Sequence, residues 1–372
     1  MKIAVNTRHV TSRGIDGIGR FTYETFKIIT QNHPEIEFLY LFDRNFSRQF
    51  ISSSNIRPVV VYPPTLNPTL VKIWYNYSLP FVFRKYKPDL FVSTDGLLCL
   101  KSSTKQLGVI HDLNFEYYHD SSNNYNRLFL DYYPKSAAAA CRIATVSEYS
   151  KMDIVNRYKI DESKIDVVHN GVSSVYSPVS DKIKMSVKKE LTNGCDYFVF
   201  VGSMYERKNI LRLLQAYEKF KAETGSPFKL VLAGRKRYAL NEMENFYTSM
   251  CFKDDVIFTG RLTDERMNQV LGSAIALTYV SLFEGFGIPL LEAFACDVPI
   301  ITSNVTSMPE VAGNAACFVD PLNVDEIAQA MQTIATRSDL REELIKNGRL
   351  QRQKYSWNNS AKLLWGSIEK CL

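Results

Sequence analysis

The chain has 372 residues, 45% of them hydrophobic and 23% charged, with 45 Lys+Arg against 39 Asp+Glu for a formal net charge of +6. That length predicts two domains and a core large enough to need no staples. The charge is too dispersed for a nucleic-acid binder, since there is no Lys/Arg block and no basic–aromatic motif, and no apolar run reaches the ~18 residues of a membrane helix. The seven cysteines (99, 141, 195, 251, 296, 317 and 371) are scattered, odd in number and without a CxxC pair. Neither a disulfide framework nor a zinc site is therefore expected, and a reducing, cytoplasmic setting is. The opening MKIAVNTRHV runs straight into a strand-like segment and lacks the long apolar core of a secretory signal. Residues 1–180 hold 21 Lys+Arg against 16 Asp+Glu, so the positive excess lies in the first half. There it favours an anionic ligand or a weak peripheral hold on a membrane surface.

In chain order, the first series of expected strands is KIAVNT (2–7), FLYLF (38–42), PVVVY (58–62), DLFVST (89–94), LGVIHD (107–112), RIATVS (142–147) and DVVHN (166–170). A second series follows: YFVFVGS (197–203), FKLVLAG (228–234), VIFTG (256–260), IALTYVS (275–281), VPIITS (298–303) and ACFVD (316–320). These runs are apolar on both faces, as buried parallel strands are. Helical stretches lie between many of them. NILRLLQAYEKF (209–220) puts Ile210, Leu213, Leu214, Tyr217 and Phe220 on one face, with Asn209 as the expected N-cap. Alternation of strand and helix predicts parallel sheets with right-handed crossovers. Two such series predict two doubly wound α/β domains, 1–180 and 181–357, with 171–195 read as a strand-free linker. A last helix from about 358 carries Leu363, Leu364, Trp365 and Ile368 as its apolar set.

In open α/β sheets ligands bind beyond the carboxyl ends of strands, and the motifs fall in such loops. EGFGIPLLE (284–292) follows an apolar run. Gly285 and Gly287 allow close backbone approach, Pro289 suits the first turn of a helix, and the helix N-terminus favours an anion. Two carboxylates beside an anion site make sense if they accept hydrogen bonds from vicinal hydroxyls. Glu284 is then a candidate for a hexose and Glu292, expected in the first turn, for a ribose. In SMYERKN (203–209), Arg207 and Lys208 precede a helix start, where two cations suit a pyrophosphate. RGIDGIGRFT (13–22) sets Gly14, Gly17 and Gly19 before a helix, but the spacing is not GxGxxG, so the dinucleotide fingerprint fails. VIHD (109–112) ends a strand and presents His111 and Asp112, which suit a sugar hydroxyl, acid–base chemistry or a structural hydrogen bond. No D-x-D triplet occurs to bridge a diphosphate through a metal, and no HExxH, GxSxG or P-loop is present.

Together these residues resemble the retaining family 4 glycosyltransferases of GT-B fold. The likeness spans essentially the whole chain. Its most specific piece is E-x7-E, Glu284 to Glu292, and GIDGIGRFT, VIHD, TVSEYSK, VHNGV, VGSMYERKN, IFTGR and MPEVAG stand in the family's order. The resemblance implies two Rossmann-like domains facing a central cleft, with the last helix crossing back to the first domain. It implies that Glu284 holds donor-sugar hydroxyls with the backbone around Gly285, Phe286 and Gly287, and that Glu292 holds the ribose. Arg207 and Lys208 would clamp the diphosphate and His111, beside Asp112, would touch the donor sugar. Gly17, Gly19 and Gly202 would let loops approach phosphate or acceptor, and Gly234 and Arg261 would border the nucleobase. It implies retention by front-face attack, with no enzymic nucleophile, no cofactor and no metal. ERKNI…LLQAYEKF and HDLNFEYY look like mannosyltransferases of surface-polysaccharide assembly, so GDP-mannose is the expected donor nucleotide sugar. A glycan or lipid-linked saccharide is the expected acceptor, bound by the more basic first domain at the inner face of the membrane. UDP-glucose, UDP-galactose and UDP-N-acetylglucosamine are the alternative donors. A nucleotide-sugar epimerase or a non-catalytic sugar-nucleotide binder are the competing functions. One departure stands out: FACDVPII carries Asp297 where the family usually has Gly, so a left-handed cap there must be tolerated by an aspartate.

Overall fold

The computed structural model describes residues 1–11, 14–15, 17–118, 124–236 and 241–372; Arg13 and Asp16 of the expected Gly-rich loop lie outside them. The chain divides into two compact units, Met1–Asn170 with Trp357–Leu372, and Gly171–Ser356. The boundary thus falls at Asn170/Gly171 rather than 180/181. The intervening residues belong to the second unit: Ser177 N–H donates to Asn268 Oδ1 at 2.9 Å, and Val179 packs on Gly272. Nor is 171–195 a plain linker. Asp181–Thr192 is a helix with Val187 buried, and the spacing of Ile183, Val187 and Leu191 supplies one shielded face beneath a strongly charged one.

In the first unit the strands are β1 (Lys2–Asn6), β2 (Val10–Thr11), β3 (Gly14–Ile15), β4 (Glu37–Phe42), β5 (Ile56–Val60), β6 (Leu90–Ser93), β7 (Lys105–Ile110), β8 (Arg142–Thr145) and β9 (Ile165–Val167). β2 and β3 pair antiparallel, with β3 in the Gly-rich segment and β2 just before it, which the sequence reading did not anticipate. The others form one sheet in the order β5-β4-β1-β6-β7-β8-β9, every pair parallel. The central strands β1 and β6 are wholly buried past Lys2, which is why they read as continuous apolar runs. β5 carries Arg57 and Pro58 exposed, as an edge strand can.

The last helix, Trp357–Glu369, belongs to this unit and buries Trp357, Ala361, Leu364 and Ile368. Leu363 is 38% exposed, so it is not part of the apolar set expected of it, and Trp365 instead stacks on His33 with ring centroids 3.6 Å apart. Asp166 takes bonds from Arg142, Ser367 and Lys370 at 2.6 to 2.8 Å, pinning that helix to β8 and β9. Cys141 and Cys371 are bridged, which corrects the expectation of unpaired cysteines. Partners 230 residues apart become neighbours only because the last helix returns to the start of β8.

The second unit holds β10 (Tyr197–Val201), β11 (Lys229–Ala233), β12 (Val256–Gly260), β13 (Ala276–Tyr279), β14 (Ile300–Ser303) and β15 (Cys317–Val319). Their order is β12-β11-β10-β13-β14-β15, again all parallel. Numbered within the sheet this is 3-2-1-4-5-6, the dinucleotide-fold order whose direction reverses beside its first strand. The helix Ile288–Ala295 ends in a left-handed residue, Asp297 at φ 57°. Val298 N–H reaches Ala293 O at 2.9 Å and Asp297 N–H reaches Phe294 O at 3.3 Å, a Schellman closure. Arg349 donates to both Asp297 carboxylate oxygens at 2.8 and 2.9 Å, so this aspartate keeps the cap that glycine would otherwise supply.

Asp297→Gly is expected to unfold at no lower urea concentration than wild type, because the left-handed strain is relieved as a solvent-screened contact is lost. Asp297→Val, β-branched in the same conformation, is expected to cost about 2 kcal/mol, read as a shift of the urea midpoint.

Candidate active site

The reversal of strand order at β10 and β13 opens a crevice between the loops that leave their carboxyl ends. Two segments supply its walls. After β10 the chain passes Gly202, makes a single 3-10 turn over Glu206–Lys208, and enters the helix Ile210–Thr224. Asn209 takes the expected N-cap position, but it is left-handed there, at φ 60°, and its side chain makes no capping bond. Its amide Nδ2 donates instead to Val280 O at 3.0 Å and Pro321 O at 2.7 Å, tying the β10 exit to the β13 exit. A direct strut reinforces this, with Leu282 N–H donating to Arg207 O at 2.8 Å.

That framework brings Arg207, Lys208 and Glu284 together. Arg207 Nη1 lies 3.0 Å from Glu284 Oε1 and also 3.0 Å from Phe283 O. Lys208 Nζ donates to Glu284 Oε1 and to the Tyr279 hydroxyl, and sits 4.7 Å from the centre of the Tyr279 ring. Glu284 is 6% exposed and Lys208 8%, while Arg207 is half-buried. Burial works to raise the Glu284 carboxyl, but Arg207 and Lys208 overcome it and hold the group at about 2. Glu284 is therefore a carboxylate that only accepts hydrogen bonds. Burial keeps the Tyr279 phenol neutral, its pKa raised well above the usual value. The ion group formed by Arg207, Lys208 and Glu284 carries one more positive than negative charge. In a shielded crevice that arrangement favours an anion. Ser307 Oγ donates to Glu284 O at 2.9 Å and fixes the backbone of the carboxylate.

Two glycines shape the crevice. Gly234, at φ 154°, would place a Cβ 1.9 Å from Gly202 O, so the exits of β10 and β11 close on each other too tightly for any side chain. Gly287, at φ 94°, would place a Cβ 2.6 Å from the Met308 methyl, which makes the turn into Ile288–Ala295 a glycine position. Pro289 stands in the first turn of that helix as expected. Glu292 does not: it lies in the second turn, about 9% exposed. The helix starts at Ile288, ahead of Pro289, so Glu292 is its fifth residue and falls just past the first turn. Phe286 is buried edge-on against Tyr355 at 5.5 Å between centroids and supports the loop through packing.

Two family models match this chain in tandem, Glycosyltransferase Family 4 over residues 15–174 and Glycosyl transferases group 1 over residues 181–351. The chain is a family 4 glycosyltransferase. The O-antigen chain mannosyltransferase B of Escherichia coli is 31% identical over 226 residues, 60% of this chain and 59% of that protein, so the chain spans less than two thirds of that relative. The O-antigen chain mannosyltransferase RfbU of Salmonella typhimurium is 29% identical, with 72% of each chain covered. Among solved structures, a sucrose-phosphate synthase from Thermosynechococcus elongatus superposes with TM-score 0.78 at 18% identity, covering 99% of this chain and 98% of the other. That likeness shows the GT-B fold.

In this glycosyltransferase the other expected site residues are more dispersed. Arg261 follows the edge strand β12, with β11 between it and β10, and is exposed. In the first unit, His111 is half-buried, its Nε2 3.0 Å from Thr94 O and its ring edge-on to Phe21 at 5.1 Å. Asp112 does not bond the imidazole in a dyad; its Oδ1 accepts the Asn114 N–H at 3.0 Å and starts the 3-10 turn Asn114–Glu116. Gly17 and Gly19 are not loop residues but the first turn of the helix Gly17–Asn32. A Cβ on Gly17 would meet nothing within 4 Å, so its value is an open helix start and not a tight contact.

The sequence reading missed Tyr279 and Ser307, and it missed a second polar cluster. Arg8 leaves β1 and Asp95 leaves β6, the corresponding reversal point of the first sheet, and they form a buried ion pair. Tyr75 donates to Asp95 Oδ1 at 2.7 Å, Arg8 Nη1 reaches Thr65 Oγ1 at 3.3 Å, and Thr65 N–H reaches Asp43 Oδ2 at 2.8 Å. Burial opposes ionisation of Asp95, but Arg8 and His9 hold it well below the usual carboxylate range. The strand-end rule that found Lys208 would have found Arg8 and Asp95 as well.

The ordinary value for Glu284 is 4.5 and its folded value about 2. A depressed carboxyl contributes stability above the unfolded value and loses it as pH falls through the folded one. The thermal midpoint of the second unit is therefore expected to fall between pH 4.5 and about 2. Glu284→Gln should shrink that pH dependence. At pH 7 it should cost about 3 kcal/mol, because two shielded cations lose their partner. Both are read by calorimetry.

Proposed function

We propose that the protein is a retaining, metal-independent glycosyltransferase that moves a mannosyl unit from GDP-mannose to a glycan or lipid-linked saccharide acceptor. The observation that carries this is the shielded Glu284 held between Arg207 and Lys208 at the reversal point of the second sheet. A guanidinium has five N–H donors and an ammonium three, so both can hold the carboxylate and a diphosphate together. The diphosphate balances the excess positive charge of the group. Glu284, ionised, accepts hydrogen bonds from the sugar hydroxyls, and the backbone after it, opened by Gly285 and Gly287, lies along the ligand. Glu292, one helical turn further on, is the acceptor for the ribose hydroxyls.

The reaction breaks the bond between the anomeric carbon and the diphosphate oxygen. Negative charge grows on that oxygen, and Arg207 and Lys208 stabilise it where a metal would otherwise be needed. The acceptor oxygen attacks from the same face, and its proton passes to the departing phosphate oxygen. Retention follows without a covalent intermediate, in keeping with a carboxylate that is tied to two cations and poorly placed to act as a nucleophile. Mannose as the sugar rests on the likeness to the two O-antigen chain mannosyltransferases and on the ERKNI and HDLNFEYY segments.

Lys208→Ala and Arg207→Ala are each expected to lower kcat/KM with GDP-mannose about a hundredfold, near 3 kcal/mol of transition-state stabilisation. The assay is run with chelator present and the anomeric configuration of the product is read by NMR. Turnover with UDP-sugars alone would replace the donor, an inverted product would remove the front-face mechanism, and unchanged rates in both variants would remove the site.

A further inference from the structure

Arg207 and Lys208 face the same carboxylate, yet the fold holds them by different means. The guanidinium of Arg207 is a rigid planar fork. Its Nη1 lies 3.0 Å from Glu284 Oε1 and 3.0 Å from Phe283 O, and two oxygens of one loop define its direction. Lys208 ends instead in a point charge on a flexible four-carbon stem. A single carboxylate oxygen would let such an ammonium swing about it. Glu284, as the acceptor for sugar hydroxyls, is also the partner that a ligand contests. The Tyr279 hydroxyl gives the ammonium a second acceptor.

That second acceptor is itself immobile. Tyr279 closes β13 and is 1% exposed. Its ring stacks on Phe200 of β10, with centroids 6.0 Å apart and planes 15° from parallel. Its carbonyl takes a bond from Thr302 Oγ1 of β14 at 2.8 Å. Ring and backbone are thus held from the two strands that flank β13. Lys208 Nζ lies 4.7 Å from the centre of the ring. A Cβ built on Gly202 would stand 3.5 Å from Phe200 Cζ and 4.0 Å from Lys208 Cε, so the lysine stem runs out past the same pair of rings. The ammonium donates and the phenol oxygen accepts. The phenol, kept neutral by burial, still holds its own proton, and Glu284 is its hydrogen-bond partner. Tyr279 therefore joins the cation to the carboxylate through a group mounted on the sheet.

A hydroxyl at this place is costly unless it is used. All four residues of β13 are buried, and phenylalanine would fill the same space with no polar atom to desolvate. What phenylalanine would lose is the anchor for Lys208. We propose that Tyr279 is a positioning residue: its hydroxyl holds the Lys208 ammonium where the outer phosphate of the nucleotide is met, and it acts through Lys208 rather than by touching the ligand. The inference rests on the reading of Arg207 and Lys208 as the diphosphate clamp. It adds that the aim of the lysine is set from β13, and that this aim survives when a ligand shares the oxygens of Glu284.

The test needs no acceptor. The full-length protein is titrated calorimetrically with GDP and GMP and with UDP and UMP, and the pair that binds the wild type is carried through the variants. The ratio of diphosphate to monophosphate affinity isolates the outer phosphate, and monophosphate binding reports a folded site. Tyr279→Phe is expected to lower the ratio about tenfold and to leave the monophosphate within about twofold of wild type. In a Lys208→Ala background the same substitution is expected to change the ratio by less than about twofold, because the group it acts through is gone. A wild-type ratio in Tyr279→Phe, beside a lowered one in Lys208→Ala, would overturn the positioning role and leave the clamp standing. Equal loss of both nucleotides in Tyr279→Phe would overturn it too, since that is a structural effect. So would the same loss of ratio with and without Lys208, which would mean that Tyr279 does not act through the lysine. An unchanged ratio in Lys208→Ala, or a wild type that binds none of the four nucleotides, would remove the clamp and the inference with it.

Discussion

A carboxylate kept ionised in a shielded crevice by two neighbouring cations is the constraint on which the second unit turns. Glu284 can be buried only because Arg207 and Lys208 accompany it, and they can reach it only if the exits of β10 and β13 are locked together. The sheet order provides the proximity. Asn209 and the Leu282–Arg207 strut provide the lock. Gly202 and Gly234 let β11 close over the same exit without a side chain in the way. Remove the electrostatics and this loop geometry has no reason to exist; remove the geometry and the charges are a burial cost.

The first unit uses the same topology with a different polar filling. Its sheet also reverses beside its first strand, and there too a buried ion pair, Arg8 with Asp95, links the exits of the two strands. Tyr75, Thr65 and Asp43 complete that cluster, so the loop after β1 is anchored from several directions. In both units the rule is one of position. Polar groups that would be intolerable within the strands are collected at their carboxyl ends, where neighbouring loops can satisfy them.

All thirteen expected strands exist, because strands buried on both faces announce themselves as apolar runs. Their parallel pairing could be reasoned from the alternation with helices. The gathering of Glu284, Arg207 and Lys208 was legible because each follows a strand and each is chemically unusual for its place. What escaped was decided by tertiary contacts. Asn209 looks like a helix cap until Val280 and Pro321 claim its amide. Glu292 falls just past the first turn because the helix starts at Ile288, ahead of Pro289. Asp181–Thr192 hides a modest amphipathic face inside a linker-like composition. Cys141 and Cys371 meet across nearly the whole sequence. Tyr279 sits inside a strand, where a tyrosine reads as core, and only its hydroxyl beside Lys208 shows the second role.

Calorimetric titration of the metal-free protein with GDP-mannose, GDP, UDP-glucose and UDP, repeated on Lys208→Ala, tests the assignment of this crevice most directly. Saturable binding of GDP-mannose and GDP by the wild type, weakened at least tenfold by Lys208→Ala, is the predicted result. Binding that Lys208→Ala leaves unchanged, or no binding of any of the four, would contradict the claim that Arg207, Lys208 and Glu284 form a nucleotide-sugar site.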